Sequence, residues 1–265
     1  MDEIRFFMEE SMVAVEPTAS IREAAQKMRH HSISSILIGE SGNYTGILTD
    51  TDLTRKFAAK ILDPDHTLVS MIANNPIITL DADRPMEEAY ECMRNKNIRH
   101  LGVKEKDEMV GILSIKDFAN YYNFKYFQGK NQEDQIGNYM REKLETVPES
   151  TSIHKAARLM KENKIGSLLV TGNEDIAGIV TEEIFTRKVL ADNLNPETTL
   201  VSELMEKPKT IKATQSMDSA FSCMHQNDAR YLAVTEDNKI IGVISRKDLT
   251  IYYKHKFVTE QDIDE

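Results

Sequence analysis

Basic residues are in short supply. Lys and Arg number 33 against 43 Asp and Glu, a net charge of −10, so the surface as a whole repels nucleic-acid backbones and anionic lipid faces. Nucleic acid is therefore not an expected partner. No apolar stretch comes near the ~20 residues a membrane span needs, and the acidic start from Met1 to Glu10 lacks the basic-then-apolar order of a leader; the expectation is a cytoplasmic chain without membrane association. Cysteine occurs twice, at Cys92 and Cys223, with no CxxC and no Cys/His ligand spacing, which reads as two core thiols. His30 and His31 are adjacent, so on a helix they point to different faces, and no metal site is expected. With 11 Gly and 7 Pro, long disordered tracts are excluded. Gly-x-Ser-x-Gly, P-loop and HExxH patterns are absent, and no nucleophile has an evident base partner, so no enzymatic turnover is expected.

What is present is repetition. Shifted by 132 positions, the first half realigns on the second: Val15, Ser20, Ile21, Ala24, Ala25, Met28, Gly46, Thr49, Arg55 and Lys56 fall on Val147, Ser152, Ile153, Ala156, Ala157, Met160, Gly178, Thr181, Arg187 and Lys188. The register continues with Cys92, Arg99, Gly111, Asp117 and Tyr121-Tyr122 on Cys223, Arg230, Gly242, Asp248 and Tyr252-Tyr253. A weaker repeat lies inside each half, because GILT at Gly46 answers GILS at Gly111, and GIVT at Gly178 answers GVIS at Gly242. The order is A-B-A-B, and units this small need a neighbour to bury their apolar faces. Pairing each A with its B is the natural module.

Each repeat reads as an extended lead-in, an amphipathic helix, two apolar strands around a turn and a second helix. In the first, Ile21, Ala24, Ala25 and Met28 follow i, i+3, i+4, i+7 and share one helical face. The order β-α-β-β-α predicts an α/β fold of small mixed sheets covered by helices (α+β in some schemes). The divisions are repeat 1 at 1–62, repeat 2 at 63–126, a linker at 127–135 that overlaps the polar stretch from Asn123 to Glu133, repeat 3 at 136–194, and repeat 4 with an acidic tail at 195–265. The tyrosine pairs closing the B repeats read as packing residues with polar tips.

Every second strand ends in Gly, two apolar residues and Ser or Thr, followed three positions on by an acid in three of the four copies: Thr49 with Asp52, Ser114 with Asp117, Ser245 with Asp248. The fourth departs, with Thr181 followed by Ile184. The same spacing makes a helix capping box. It also suits a nucleotide: the helix start favours phosphate, the carboxylate can accept both vicinal ribose hydroxyls, and the gap between apolar strands takes a flat purine.

The Gly-h-h-(Ser/Thr)-x-x-Asp motif, the strand IRHLGV from Ile98 to Val103 and the first-helix pattern resemble the CBS domain family over nearly the whole chain. The resemblance implies two Bateman modules, a layout similar to the gamma subunit of AMP-activated protein kinase, and binding of AMP, ADP or ATP, with S-adenosylmethionine less frequent. It places Asp52, Asp117 and Asp248 on ribose with Thr49, Ser114 and Ser245 in support, and phosphate on Arg99, His100, Lys116, Arg230 and Lys247. Thr181 keeps half of the pattern, so at most three sites are expected. The function implied is a non-catalytic adenine-nucleotide sensor acting in trans on an unidentified regulated protein, with a homodimer as one assembly. The alternatives are a ligand-free dimerisation scaffold and an S-adenosylmethionine module.

Overall fold

The computed structural model describes residues 2–40, 42–57, 60, 62–126, 134–172 and 175–261, and within them one plan recurs four times. Repeat 1 runs β1 (Ala14–Val15), α1 (Ile21–His30), β2 (Ser35–Glu40), β3 (Asn43–Thr49) and α2 (Asp50–Asp52), which continues as a π-wound turn over Leu53–Phe57. Repeat 2 has β4 (Thr79–Asp81), α3 (Met86–Lys96), β5 (His100–Glu105), β6 (Glu108–Ser114) and α4 (Ile115–Tyr126). Repeat 3 has β7 (Thr146–Pro148), α5 (Ile153–Asn163), β8 (Ser167–Thr171), β9 (Ile176–Thr181) and α6 (Glu182–Ile184), with a π-wound continuation over Phe185–Leu190. Repeat 4 is led in by α7 (Val201–Leu204) and follows with β10 (Thr210–Lys212), α8 (Met217–Gln226), β11 (Tyr231–Glu236), β12 (Lys239–Ser245) and α9 (Arg246–Gln261).

Each sheet has three strands, the first parallel to the second across the intervening helix and the second antiparallel to the third, because a parallel pair requires a long crossover and an antiparallel pair only a turn. The helices form where the sequence caps them. Ser20 accepts from the Glu23 N–H while Glu23 returns a bond to Ser20 N, and Ile21, Ala24, Ala25 and Met28 are buried as their spacing predicts. Gly39 sits at φ 131° where β2 bulges, and a Cβ there would lie 2.3 Å from the Asn43 carbonyl oxygen; only glycine fits such a backbone.

Two kinds of contact join the quarters. Within a half, each repeat lends its lead-in segment to the other's third strand through a pair of backbone hydrogen bonds: Glu9 with Ile112, Asn74 with Ile47, Arg141 with Val243, and Glu206 with Ile179. Between the halves, helices pack face to face: α1 on the π-turn after α6, α5 on the π-turn after α2, and α4 on α9. The apolar clusters follow the helices. One unites repeats 1 and 3 around Met28, Phe57, Met160 and Leu190, the other repeats 2 and 4 around Phe118, Tyr122, Leu249 and Tyr253. The A-with-B module is thus tied by its lead-ins, while the largest apolar contacts run A with A and B with B, closing both halves on each other within one chain.

The tyrosine pairs are buried, and the hydroxyl of Tyr121 bonds to Glu87 and Asp2, that of Tyr252 to Asp134 and that of Tyr253 to Asp218. Cys92 and Cys223 are half-buried against the second cluster. Most of the expected linker, 127–133, lies outside the described residues, and 123–126, read from sequence as part of the polar break, form the last turn of α4. No helix among the described residues is long and apolar enough to cross a membrane.

Candidate functional site

The motif's first task is to cap. Each third strand delivers an extended Ser or Thr to a helix start. In three repeats one carboxylate oxygen, Oδ2, answers it. Asp52 Oδ2 accepts from Thr49 N at 3.1 Å and from Thr49 Oγ1 at 2.6 Å. Asp117 Oδ2 accepts from Ser114 N and Oγ, both at 2.7 Å, and Asp248 Oδ2 from Ser245 N at 2.9 Å and Oγ at 2.5 Å. Thr181 accepts from Ile184 N at 3.2 Å, with an apolar side chain where the acid would be. The three acids differ in what else reaches the carboxylate, at Oδ1 and, for Asp52, at Oδ2 as well.

The lead-in residue bridged to each third strand takes part in that difference. At Asp52 it is Asn74, whose Nδ2 donates to Oδ2 at 2.9 Å, while Lys56 takes Oδ1 at 2.9 Å and also reaches the Asn74 Oδ1 and the Ile72 carbonyl. At Asp248 it is Arg141, whose Nη2 donates to Oδ1 at 2.9 Å. At Ile184 it is Glu206, which accepts from Lys188, the counterpart of Lys56, at 2.8 Å. At Asp117 it is Glu9, an acid that cannot donate, turned to the Ser11 N–H at 2.9 Å. Among the described residues, Oδ1 of Asp117 has no protein donor. Burial raises the carboxyl of Asp117 above the usual range against the pull of the Ser114 bonds.

Asp117 and Ser114 lie on the wall of a cavity of about 380 Å³. Lys116, Arg99 and His100 join them from repeat 2, Ser34 and Ser35 from repeat 1, Glu183 and Arg187 from repeat 3, and Arg230, Ser245, Arg246 and Lys247 from repeat 4. Its pseudo-symmetric mate, around Ser245 and Asp248, measures about 50 Å³. Tyr231 stands there in place of His100, its hydroxyl pressed so close to Gly166 that a Cβ on that glycine would lie 2.2 Å away, and Arg141 stands in place of Glu9. Asp52 and Thr49 line neither cavity, and nor do Thr181 and Ile184.

The cations are distributed differently from the sequence expectation. Arg99 Nη2 donates to Glu182 Oε2 at 2.8 Å, and Arg230 Nη1 to Asp50 Oδ2 at 2.9 Å, so each B-repeat arginine reaches an A-repeat acid in the other half. Both acids are fully buried. Arg99 and Arg230 face the cavity with one guanidinium nitrogen each already bonded to a buried acid. Burial lifts the Asp50 carboxyl to about 7 although Arg230 opposes it. His100 Nε2 lies 3.3 Å from Ser34 Oγ; enclosure, helped by the charges of Arg99 and Arg230, depresses its imidazole to about 3, so the ring is neutral. Lys116 is 3.7 Å from Asp228 and exposed, and Lys247 is exposed at the rim.

The sequence reading missed Asp50, Glu182, Arg187 and the four lead-in residues. A signal existed for the first pair: both A repeats place an acid directly after the capping Thr, where the B repeats have Ile115 and Arg246.

Comparison with known proteins agrees with the repeat structure. The profile of the CBS domain matches residues 2–59, 69–123, 136–191 and 201–255. The CBS domain-containing protein CBSCBSPB2 of Arabidopsis thaliana is 25% identical over 248 residues, covering 81% of this chain and 46% of that protein; CBSCBSPB3 of the same plant is 23% identical over 255 residues, with 82% and 46% covered. The chain spans about half the length of these curated relatives. Among solved structures, protein MJ1225 from Methanocaldococcus jannaschii, described as a candidate archaeal homologue of the gamma subunit of AMPK, superposes with a TM-score of 0.80 at 20% identity, over 95% of this chain and 99% of that one.

Proposed function

The chain belongs to the CBS domain family through all four of its repeats, and from that premise we propose that it is a regulatory protein, without a reaction of its own, that binds one adenine nucleotide in the Asp117 cleft and acts in trans on a partner protein. The ligand class follows the family resemblance. Its position follows from one observation: Asp117 is the capping carboxylate whose Oδ1 has no protein donor, and it stands on a cavity of about 380 Å³, within the range of small-molecule pockets, roughly 300–1,000 Å³.

Asp117 is partly buried with Oδ2 committed to Ser114, which leaves Oδ1 facing the cavity as an acceptor that two ribose hydroxyls suit. Ser114 is committed to Asp117 and holds its rotamer. Cations on the far wall favour a phosphate over the sulfonium of S-adenosylmethionine. Asp248 and Ser245 form a second cleft of the same design, narrowed by Arg141 and Tyr231; Thr49, Asp52 and Thr181 serve as helix caps.

Calorimetric titration with adenosine, AMP, ADP, ATP and S-adenosylmethionine tests this. One nucleotide per chain is expected, and Asp117→Ala should weaken it about 10- to 100-fold, the effect of losing about 1.5–3 kcal/mol in hydrogen bonds to a charged group. Absence of binding by every one of these ligands at millimolar concentration would leave a scaffold whose motifs are only caps.

A further inference from the structure

Arg187 is where the two halves of the molecule stop matching. Its counterpart Arg55 is engaged at two nitrogens: Nε donates to Glu182 Oε1 at 3.1 Å and Nη2 to the Ile165 carbonyl at 3.2 Å, while Thr51 adds a further bond to Glu182 at 2.9 Å. Across the pseudo-twofold axis two residues differ. Asp50 replaces Glu182 and is one methylene shorter; it holds Arg230 and leaves its own Oδ1 unbonded. Glu183 replaces Thr51, an acid in place of a donor, and takes Arg187 for itself at 2.8 Å. Arg187 is drawn away from the centre onto the wall of the Asp117 cavity, held through Nη2 by a neighbour one turn back, with Nε buried and unpartnered.

We infer that Arg187, contributed by the repeat whose own cleft lacks the acid, is the phosphate-reading residue of the Asp117 cavity, so that a bound nucleotide bridges the second repeat to the third. This rests on the nucleotide reading above. The guanidinium has donors to spare, is preorganised by Glu183, and suits a phosphate better than a lysine at the rim, because a planar fork presents parallel N–H groups. Arg99 and Arg230 line the same cavity but are each anchored to a fully buried acid from the other half, whereas the partner of Arg187 is partly exposed. Glu183 competes with the ligand and sets how much of the arginine's attraction a phosphate receives.

The test compares AMP with adenosine on the intact chain by calorimetry. Arg187→Gln should weaken AMP about 10- to 100-fold and leave adenosine unchanged, with Arg187→Lys recovering part of the loss. Glu183→Gln should tighten AMP about 1.5- to 5-fold, the worth of a partly exposed ion pair, again without effect on adenosine. Unchanged adenosine affinity certifies that the variants are folded. Equal effects of Arg187→Gln on both ligands, no effect on either, or loss of the AMP preference through Lys247→Ala instead, would overturn the assignment. Native protein that binds neither ligand would remove the nucleotide reading itself, a distinct outcome from native binding with an indifferent Arg187.

Discussion

Asp52 and Asp117 are interchangeable in the motif and opposite in the structure, and replacing each by alanine separates a cap from a binding group. Asp52 accepts from Thr49 N, Thr49 Oγ1 and Asn74 Nδ2 and pairs with Lys56, so truncating it undoes a helix cap and the tie between two repeats. The cap alone is worth about 1 kcal/mol, and the orphaned Lys56 and Asn74 bring the loss to about 2–3 kcal/mol. At roughly 2–4 °C per kcal/mol for chains of about this size, the melting temperature of Asp52→Ala should fall by about 4–12 °C while AMP affinity stays within a factor of two. Asp117→Ala forfeits a cap of similar worth, about 1 kcal/mol, yet loses nucleotide affinity about 10- to 100-fold. Scanning calorimetry and titration on the same preparations give both numbers. If Asp52→Ala weakens AMP as much as Asp117→Ala does, the lead-in residues do not decide which carboxylate is available and the reasoning fails.

The mate cleft should open when its two obstructions are exchanged for their counterparts: Arg141→Glu with Tyr231→His raises the AMP stoichiometry from one to two per chain, and a stoichiometry still at one in folded protein would mean that something else closes it. Two buried groups give stability opposite slopes with pH. His100, depressed to about 3 from an ordinary 6.5, refuses a proton that the unfolded chain accepts, so its contribution drains as pH falls below about 6.5. Asp50, raised from 3.8 to about 7, makes folding cost more as pH rises between those values. Denaturant midpoints between pH 4.5 and 7 should therefore tilt toward acid stability in His100→Gln and toward neutral stability in Asp50→Asn, each by at most about 1.4 kcal/mol per pH unit; tilts in the same direction would contradict these assignments.

The secondary structure was legible because its signals are local. The i, i+3, i+4, i+7 run from Ile21 to Met28, the Gly-h-h-Ser/Thr strand ends and the caps three residues on are all read within a dozen residues, and each appears in the structure as expected. The fate of each capping acid was not local. Asn74 and Glu206 reach their strands through backbone bridges spanning 27 residues, Glu9 and Arg141 through bridges spanning 103 and 102, and nothing near Asp52 or Asp117 in sequence announces which lead-in side chain will arrive. Arg99 and Arg230 illustrate the same limit. They stand on the strand expected to face phosphate and they do face the cavity, but the acids that neutralise them come from the other half of the chain. The preference of A for A in the apolar core also lay out of reach, since both faces of each repeat are apolar and only the helix packing says which one is larger.

Duplication alone would give this chain two equivalent pairs of clefts, and the way the pairs diverge bears on what a ligand could accomplish. The clefts of the A repeats are sealed by a lysine and a lead-in side chain from the same half, Lys56 with Asn74 and Lys188 with Glu206, so filling them would touch one half only. The B clefts differ in reach: the Asp117 cleft includes the arginines that cross to acids of the opposite half, and the Asp248 cleft is lined by the second half alone. Of these, the one around Asp248 is held shut by a half-exposed ion pair, an interaction worth about 0.2–1 kcal/mol, which a modest change in sequence could release. The one around Asp117 draws its wall from all four repeats. A ligand there is the only kind, among the clefts described, whose binding energy depends on how the halves sit against each other, and by linkage it is the only kind that can bias that arrangement. The open cleft is thus the one from which occupancy can be communicated between the halves.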